Sequence, residues 1–452
     1  MESFPPPDYP LPLARSPSLL TRYLARAPQW VLAFYAAFAA FAAYFAMYGF
    51  RRPFTAATYA GSFFETGVAL KTSFVLSQLI GYAISKWIGV KVCSEATKNR
   101  RGVLLVAFIL ASEAGLVLFG LLPGSWKFVG FFLNGLPLGM IWGLVVGYLE
   151  GRRCSDLVLA ALCGSFIVSS AAVKDIGRWL MATAGINETW MPAATGLLFL
   201  PIFVAAVAAL GQLPPPDALD EAARAHREPM GKSERRAFLL RFAPGLGALF
   251  LCYFCLTSYR DFRDGYEAEI FQSLGYGKEI TGLFSRTEIW VAVGSLLGLA
   301  CINLFRDNRR ALMAAFTIML AGMAILLGAT WLWQAGQLSG LAWVAATGLG
   351  AYLAYVPINA VLFERLMAAS GMAGTAVFGI QLADSIGYTG TTLVLLYKDL
   401  GQRSISHLQF FQQFTWILGA LGLVLLGYCI LFFHRQAHPL PSPPSPPPCD
   451  NA

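Results

Sequence analysis

"LPPPDALDEAARAHREPMGKSERRAFLLRF", residues 213–242, is the longest polar connection in the chain. Prolines open it and charged residues fill it. On both sides the sequence is a series of apolar runs of about 20 residues, the length an α-helix needs to cross a bilayer. Six runs precede it, near 29–50, 68–90, 103–122, 127–149, 157–176 and 192–212. Six follow, near 243–263, 282–304, 311–333, 340–363, 373–396 and 410–433. The pattern predicts an all-α polytopic membrane protein with 12 transmembrane helices in two pseudo-symmetric six-helix bundles. The parts are then an N-terminal tail (1–28), a first bundle (29–212), the linker (213–242), a second bundle (243–433) and a Pro-rich tail (434–452).

Composition agrees. Of 452 residues, 57% are hydrophobic and 13% charged, about half the charge of a soluble domain. The N-terminal tail is proline-rich and polar, and the first apolar run is too long for the core of a cleaved signal peptide. Eight cysteines form no disulfide framework. Cys252 and Cys255 make a C-x-x-C inside an apolar run, read as reduced packing residues. The four histidines lie outside the apolar runs, so neither a buried histidine metal site nor a cofactor is expected. No nucleophile–base cluster stands out, so an enzyme is not expected either. The basic residues scatter among the loops, which argues against nucleic acid as a partner.

Arginine and lysine concentrate in the N-terminal tail, in 91–102, in 150–156, in the linker and in 306–310. With an even number of spans, all of these fall on one side. The positive-inside bias makes that side, with both termini, cytoplasmic, in a cell inner (plasma) membrane. Arg51 and Arg52, in "YGFRRPFTAATY" (48–59), then lie on the opposite side, where topology does not explain them.

The two halves also repeat. "YFAMYGFR" (44–51) and "YFCLTSYR" (253–260) share Tyr-Phe followed by Arg, at an offset of 209 residues. The same offset carries Asp175 of "VKDIG" onto Asp384 of "LADSIG". Matching positions in the first and fifth helix of each half are what a two-bundle secondary transporter shows, with its site between the bundles.

Ionisable residues at bilayer depth line pathways or pair with one another. Arg260 falls about 16–18 residues into its span, roughly 24–27 Å along, short of a full crossing. Arg51 is its repeat mate. Together they form a candidate clamp for an anion. Lys174 is a further candidate anion ligand, and Tyr48 and Tyr259, beside the arginines, are candidate hydrogen-bond donors to an oxyanion. Tyr44, Tyr253 and Tyr388 are read as packing. Asp175 and Asp384 are candidates for coupling or gating, with proton binding and ion pairing both open. Lys86, Glu150 and Glu364, near the cytoplasmic ends of their spans, are candidate inner-gate residues. Asp261, Arg263, Asp264, Glu267 and Glu269 are expected to decorate the outer mouth. Pro53 is expected to bend the helix above Arg51.

With these residues in view, the chain resembles the major facilitator superfamily, and within it the organophosphate:phosphate antiporter family. Tyr48-x-x-Arg51-Arg52-x-Phe54 resembles that family's first-helix motif, whose first basic residue binds phosphate. Arg260 matches its second phosphate-binding arginine, on helix seven. "GYAISKWIG" (81–89) resembles its second-helix motif with the Tyr and Gly order changed, and "NGLPLGMIW" (134–142) its fourth-helix pattern. In helix five, where the family has His-Asn-x-Gly, this chain has Lys174-Asp175-Ile176-Gly177. The basic loop between helices two and three carries only an approximate copy of the usual Asp-Arg signature. The resemblance implies a secondary active transporter of a small organic anion, phosphorylated, working by alternating access. Inorganic phosphate would be its counter-substrate, and the protein a monomer in the lipid bilayer. Two other readings stay open: a membrane sensor with a transporter fold that binds a phosphorylated ligand, and a proton-coupled transporter of a neutral or cationic solute.

Overall fold

The structure, a computed structural model, describes residues 18–66, 68–95, 98–149, 155–215, 232–277, 282–305, 307–370, 376–401 and 405–436. All regular structure in these residues is helical. A short helix α1 (Leu19–Arg26) precedes α2 (Gln29–Arg51), α3 (Leu70–Glu95), α4 (Lys98–Leu121), α5 (Phe128–Leu149), α6 (Ser155–Thr183) and α7 (Met191–Gly211). The C-terminal half contains α8 (Lys232–Ser273), α9 (Leu283–Asn303), α10 (Asn308–Gln334), α11 (Gly340–Pro357), α12 (Phe363–Ser370), α13 (Ala376–Leu396) and α14 (His407–Gln436). Nine of the described segments are long and apolar enough to cross a membrane. Helices α3, α6 and α13 fall outside that set. Each carries ionisable residues within its apolar run: Lys71 and Lys86, Lys174 and Asp175, and Asp384.

The densest packing lies within each half. In the N-terminal half α5 sits on α3 and α4, and α2 on α6 and α7; in the C-terminal half α8 sits on α13 and α14, and α11 on α9 and α10. Between halves, α6 meets α9, α3 meets α13, and α8 meets the turn after α2. We call the end where α2 begins and α14 finishes proximal, and the end where α2 finishes distal.

Residues 19–26, expected as polar tail, are a helix. Ser18 caps it, its Oγ accepting the Thr21 N–H at 3.1 Å. Leu19, Leu20, Tyr23 and Leu24 recur at helical spacing, and all but Leu24 are exposed, as in a helix lying at a membrane surface.

Alanine-rich α2 is a strong helix former and stops at Arg51. Pro53 does not bend it: it opens a separate 3₁₀ turn, Pro53–Ala56. A proline lacks the N–H that would continue the ladder and disfavours helix at the residue before it. This leaves Arg51 in the last turn of α2 and Arg52 as its cap.

The backbone around Arg51 is pinned from α5. Asn134 Nδ2 donates to the Phe50 carbonyl at 3.1 Å and to Ser112 Oγ at 2.6 Å. Gln78 Nε2 donates to Asn134 Oδ1 at 2.7 Å and to the Arg51 carbonyl at 3.0 Å. Helices α3 and α5 reach this distance because of Gly135 and Gly139. A Cβ on Gly135 would stand 2.2 Å from the Gln78 carbonyl oxygen, and one on Gly139 2.7 Å from that of Tyr82. Small residues four apart allow such backbone contact between membrane helices.

Gly135→Leu should therefore lower stability by about 3 kcal/mol, the upper range for overpacking. Gly328→Leu, at a glycine with nothing within 4 Å, should leave the Tm in detergent unchanged. Equal melting of the two variants would refute this packing.

Candidate functional site

Polar residues line the seam between the halves in three layers. Each layer follows from helical spacing: Gln78, Tyr82 and Lys86 recur every four residues on α3, as do Asp384 and Tyr388 on α13. Such spacing puts a polar stripe on one face of an otherwise apolar helix.

The proximal layer is Lys86 with Asp384. Their charged atoms are 4.0 Å apart, and both side chains are about a quarter exposed. Asp384 also accepts the Tyr253 hydroxyl at 2.7 Å, and Tyr253 in turn accepts from Asn359 Nδ2 at 3.1 Å. Asn359 sits in a π-helical turn, Ile358–Leu362, between α11 and α12. Such turns interrupt a helix and re-aim its side chains.

The middle layer holds the two arginines. The Arg51 guanidinium lies 4.3 Å from the Tyr82 ring centroid and 5.7 Å from that of Tyr48. Arg260 lies 4.1 Å from the Tyr355 ring. The Tyr82 and Tyr388 rings meet across the seam at 5.4 Å. With their faces covered by aromatic rings, the guanidiniums keep their N–H edges for other partners.

The distal layer is a buried charge network. Arg52 Nε pairs with Asp264 at 2.9 Å, and Arg52 Nη2 lies 3.5 Å from Asp261. Lys174 pairs with Asp264 and, at 2.9 Å, with Glu267. Lys71 pairs with Glu269 at 2.7 Å and donates to the Thr55 carbonyl at 2.9 Å. Each of these ion pairs joins an N-terminal-half cation to a carboxylate on α8. Arg263 pairs with Glu288 within the C-terminal half. Asp175 accepts the Phe284 and Ser285 N–H groups at 3.3 and 2.8 Å, a carboxylate on the N-terminus of α9, where the helix dipole favours it.

The residues expected to decorate an outer mouth are therefore not at a mouth. Asp261, Arg263 and Glu267 are at most 5% exposed. The reason is the length of α8, which runs unbroken from Lys232 through Arg260 to a kink at Tyr266 and on to Ser273. The helix carries the acidic stripe against α6 and the turn after α2 before the chain can leave the interface.

Among the sequence candidates, Arg51, Arg260 and Tyr48 come together in the middle layer, and Lys86 with Asp384 in the proximal one. Lys174 and Asp175 lie in the distal layer. Tyr259 packs into the C-terminal half, its hydroxyl bonded to Thr415 Oγ1 at 2.9 Å and its ring stacked on Phe411. Glu364 opens α12, half-buried. Glu150 lies outside the described residues. Tyr82 and Tyr355 were not singled out in the sequence; Tyr82 had a signal, its spacing of four from both Gln78 and Lys86.

Formal charges cancel within the set joined by ion pairs; Asp175, held by the α9 N–H groups, stands outside that set. Arg52, Lys71, Lys174, Arg260 and Arg263 stand against Asp261, Asp264, Glu267, Glu269 and Glu288. Arg260 belongs to this set through its neighbour Asp261, at 2.8 Å. Lys86 and Asp384 balance each other. Among the described residues buried in the seam, Arg51 is left without a carboxylate.

A family model described as "Family of unknown function (DUF5690)" matches residues 53–436. No match to a curated protein is found. Among solved structures the chain is similar to a D-xylose–proton symporter, with a TM-score of 0.64 and 13% identity over 91% of this chain and 99% of that one. It is also similar to the nucleoside transporter NupG, with a TM-score of 0.57 and 12% identity over 89% of this chain and 99% of that one. At this identity the likeness shows the fold alone, the all-helical fold of these two proteins.

Asp264→Asn should open the distal end, because removing one partner of a buried ion pair costs roughly 3–5 kcal/mol. Spin labels on the distal loops at Phe64 and Gln337, both exposed, should show a longer-distance population at least about tenfold enriched over wild type. An unchanged distance distribution would count against the network as a latch.

Proposed function

The chain belongs to this family of unknown function, and from that premise we propose that it is a secondary active transporter of a small organic anion, phosphorylated. It works by alternating access at a site between two bundles. The observation that carries the reading is Arg51 itself: it is buried, it lies on the Tyr82 ring that meets Tyr388 of the opposite half, and it has no carboxylate among the described residues. A buried unpaired cation is costly in a membrane protein. An anion arriving between the halves removes that cost and gains charge-assisted, bidentate hydrogen bonds from a planar guanidinium.

Arg260 supplies the second bond from the C-terminal half. Its partner Asp261 is shared with Arg52 and also accepts the Thr391 hydroxyl at 3.0 Å. An anion that takes Arg260 thus releases Asp261 to Arg52, which ties binding in the middle layer to the distal latch. Tyr48, its ring 5.7 Å from the Arg51 guanidinium, and Tyr388, against the Tyr82 ring, are the candidate hydroxyl donors. Lys174 belongs to the latch in this reading, and Asp175 holds α9 to α6. An unoccupied site leaves Arg51 without a counter-charge, so exchange for inorganic phosphate follows as the transport mode. In this proposal the chain keeps twelve spans, six per bundle, with both termini in the cytoplasm, and is a monomer in the plasma membrane.

A second reading, proton-coupled transport, is favoured by one observation. The Lys86–Asp384 pair is long and partly exposed, so the Asp384 carboxylate is reachable from the proximal side.

Purified protein screened by thermal shift against inorganic phosphate, phosphorylated metabolites and carboxylates should melt higher with a phosphorylated compound. In proteoliposomes, Arg51→Lys and Arg260→Lys should each lower uptake of that compound at least about tenfold, since a point cation replaces a bidentate fork. Normal uptake by both variants would sink the clamp, and binding without counterflow would assign the protein to sensing. Asp384→Asn separates the coupling modes: uptake that loses its dependence on a pH gradient supports proton coupling, and unchanged counterflow supports exchange.

A further inference from the structure

Away from the seam, on the proximal side, a groove of about 960 Å³ lies between the end of α9, the start of α10 and the last turn of α14. This is within the range of ligand sites. Its lining divides by chemistry along α10. Arg309, Arg310 and His434 form the rim, and Met313 and Ile318 carry the groove along the helix, with Phe305 beside them. From Arg310 to Ile318 the strip is about 12 Å long at 1.5 Å per residue.

The rim has unused donors. Arg309 Nη2 donates to the His434 carbonyl at 2.6 Å, tying α10 to α14, while its Nε is buried without an acceptor. Arg310 is exposed, and its guanidinium has no acceptor among the described residues. The helix N-terminus is not what makes the site, since Asp307 caps α10 and takes the Arg310 N–H at 2.8 Å. Asp307 is the one carboxylate in the lining, so with Arg309 and Arg310 the rim keeps a net positive charge.

We propose that this groove binds an anionic phospholipid, with the phosphate on Arg309 and Arg310 and an acyl chain along Met313 and Ile318. The groove has the polarity of an amphiphile: two cations at one end and an apolar strip leading away from them, at the ends of membrane-length helices. A soluble phosphate would satisfy the rim and leave the strip empty. Basic pockets between transmembrane helices hold anionic headgroups in this way.

The full-length protein, purified in detergent, is titrated with phosphatidylglycerol and phosphatidylcholine of identical acyl chains and read by native mass spectrometry. Wild type should retain phosphatidylglycerol in preference. R309Q/R310Q should weaken that retention about thirtyfold, the loss expected for two arginines at a headgroup. R309K/R310K should keep it, and M313W should block it with the charges intact. Equal retention of the two lipids by wild type overturns the proposal. So does unchanged phosphatidylglycerol binding in R309Q/R310Q or, should that variant not fold, in M313W. Displacement of the lipid by millimolar inorganic phosphate also overturns it, and assigns the rim to a soluble anion.

Discussion

The seam between the halves depends on one set of bonds: lysines and arginines of the first half held by carboxylates of α8. Arg52, Lys71 and Lys174 reach across to Asp264, Glu269 and Glu267. Removing charges from water is costly, and their mutual attraction repays it only when geometry is good and remaining lone pairs are bonded. Here Asp264 is bonded by Arg52, Lys174 and Ser170 together. An interface held this way is strong when complete. It becomes unfavourable as soon as a partner leaves, so it has two states and no gradual intermediate.

Because the latch is neutral, the charge beside it is conspicuous. Arg51 and Arg52 are adjacent in sequence, yet their environments differ. Proline at 53 ends the helix between them: Arg51 keeps helical geometry and turns onto Tyr82, while Arg52 caps the helix and turns to the carboxylates. In the proposed reading, a single proline therefore separates a binding charge from a latching one. Asn134 and Gln78 hold the backbone at this point by its carbonyls, so the direction of each arginine is set by buried hydrogen bonds rather than by the loop that follows.

Much of the fold was legible. Each apolar run falls on a helix, nine of them on described segments long and apolar enough to cross a membrane, and the repeat of Tyr-Phe and Arg put Arg51 and Arg260 on one helix in each half. What was not legible is non-local. No period in the sequence says that Asp264 meets Arg52 and Lys174, or that α8 continues well past Arg260. Charged residues at the end of an apolar run read as a solvated mouth, and only the opposite half, packed against them, makes them an interior. The short helix at 19–26 was missed for a different reason, because prolines and arginines around it outweighed an apolar stripe of four residues. Tyr82 was legible in principle, since Gln78, Tyr82 and Lys86 share one face of α3.

The repeat also has a limit that bears on mechanism. Symmetry predicts equivalent arginines, but Arg260 has an acidic neighbour, Asp261, where Arg51 has a basic one, Arg52. The C-terminal arginine is therefore neutralised within its own half, and the N-terminal one is not. Likewise Asp175 is spent on the α9 N-terminus, whereas Asp384 stays partly exposed against Lys86. In the proposed reading this asymmetry orders the events. An anion entering from the proximal side passes the Lys86–Asp384 pair, meets the uncompensated charge of Arg51 first, and engages Arg260 only by competing with Asp261. Because Asp261 also lies beside Arg52, that competition is felt in the latch. A symmetric pair of free arginines would bind the anion as tightly, but would carry no signal to the distal end.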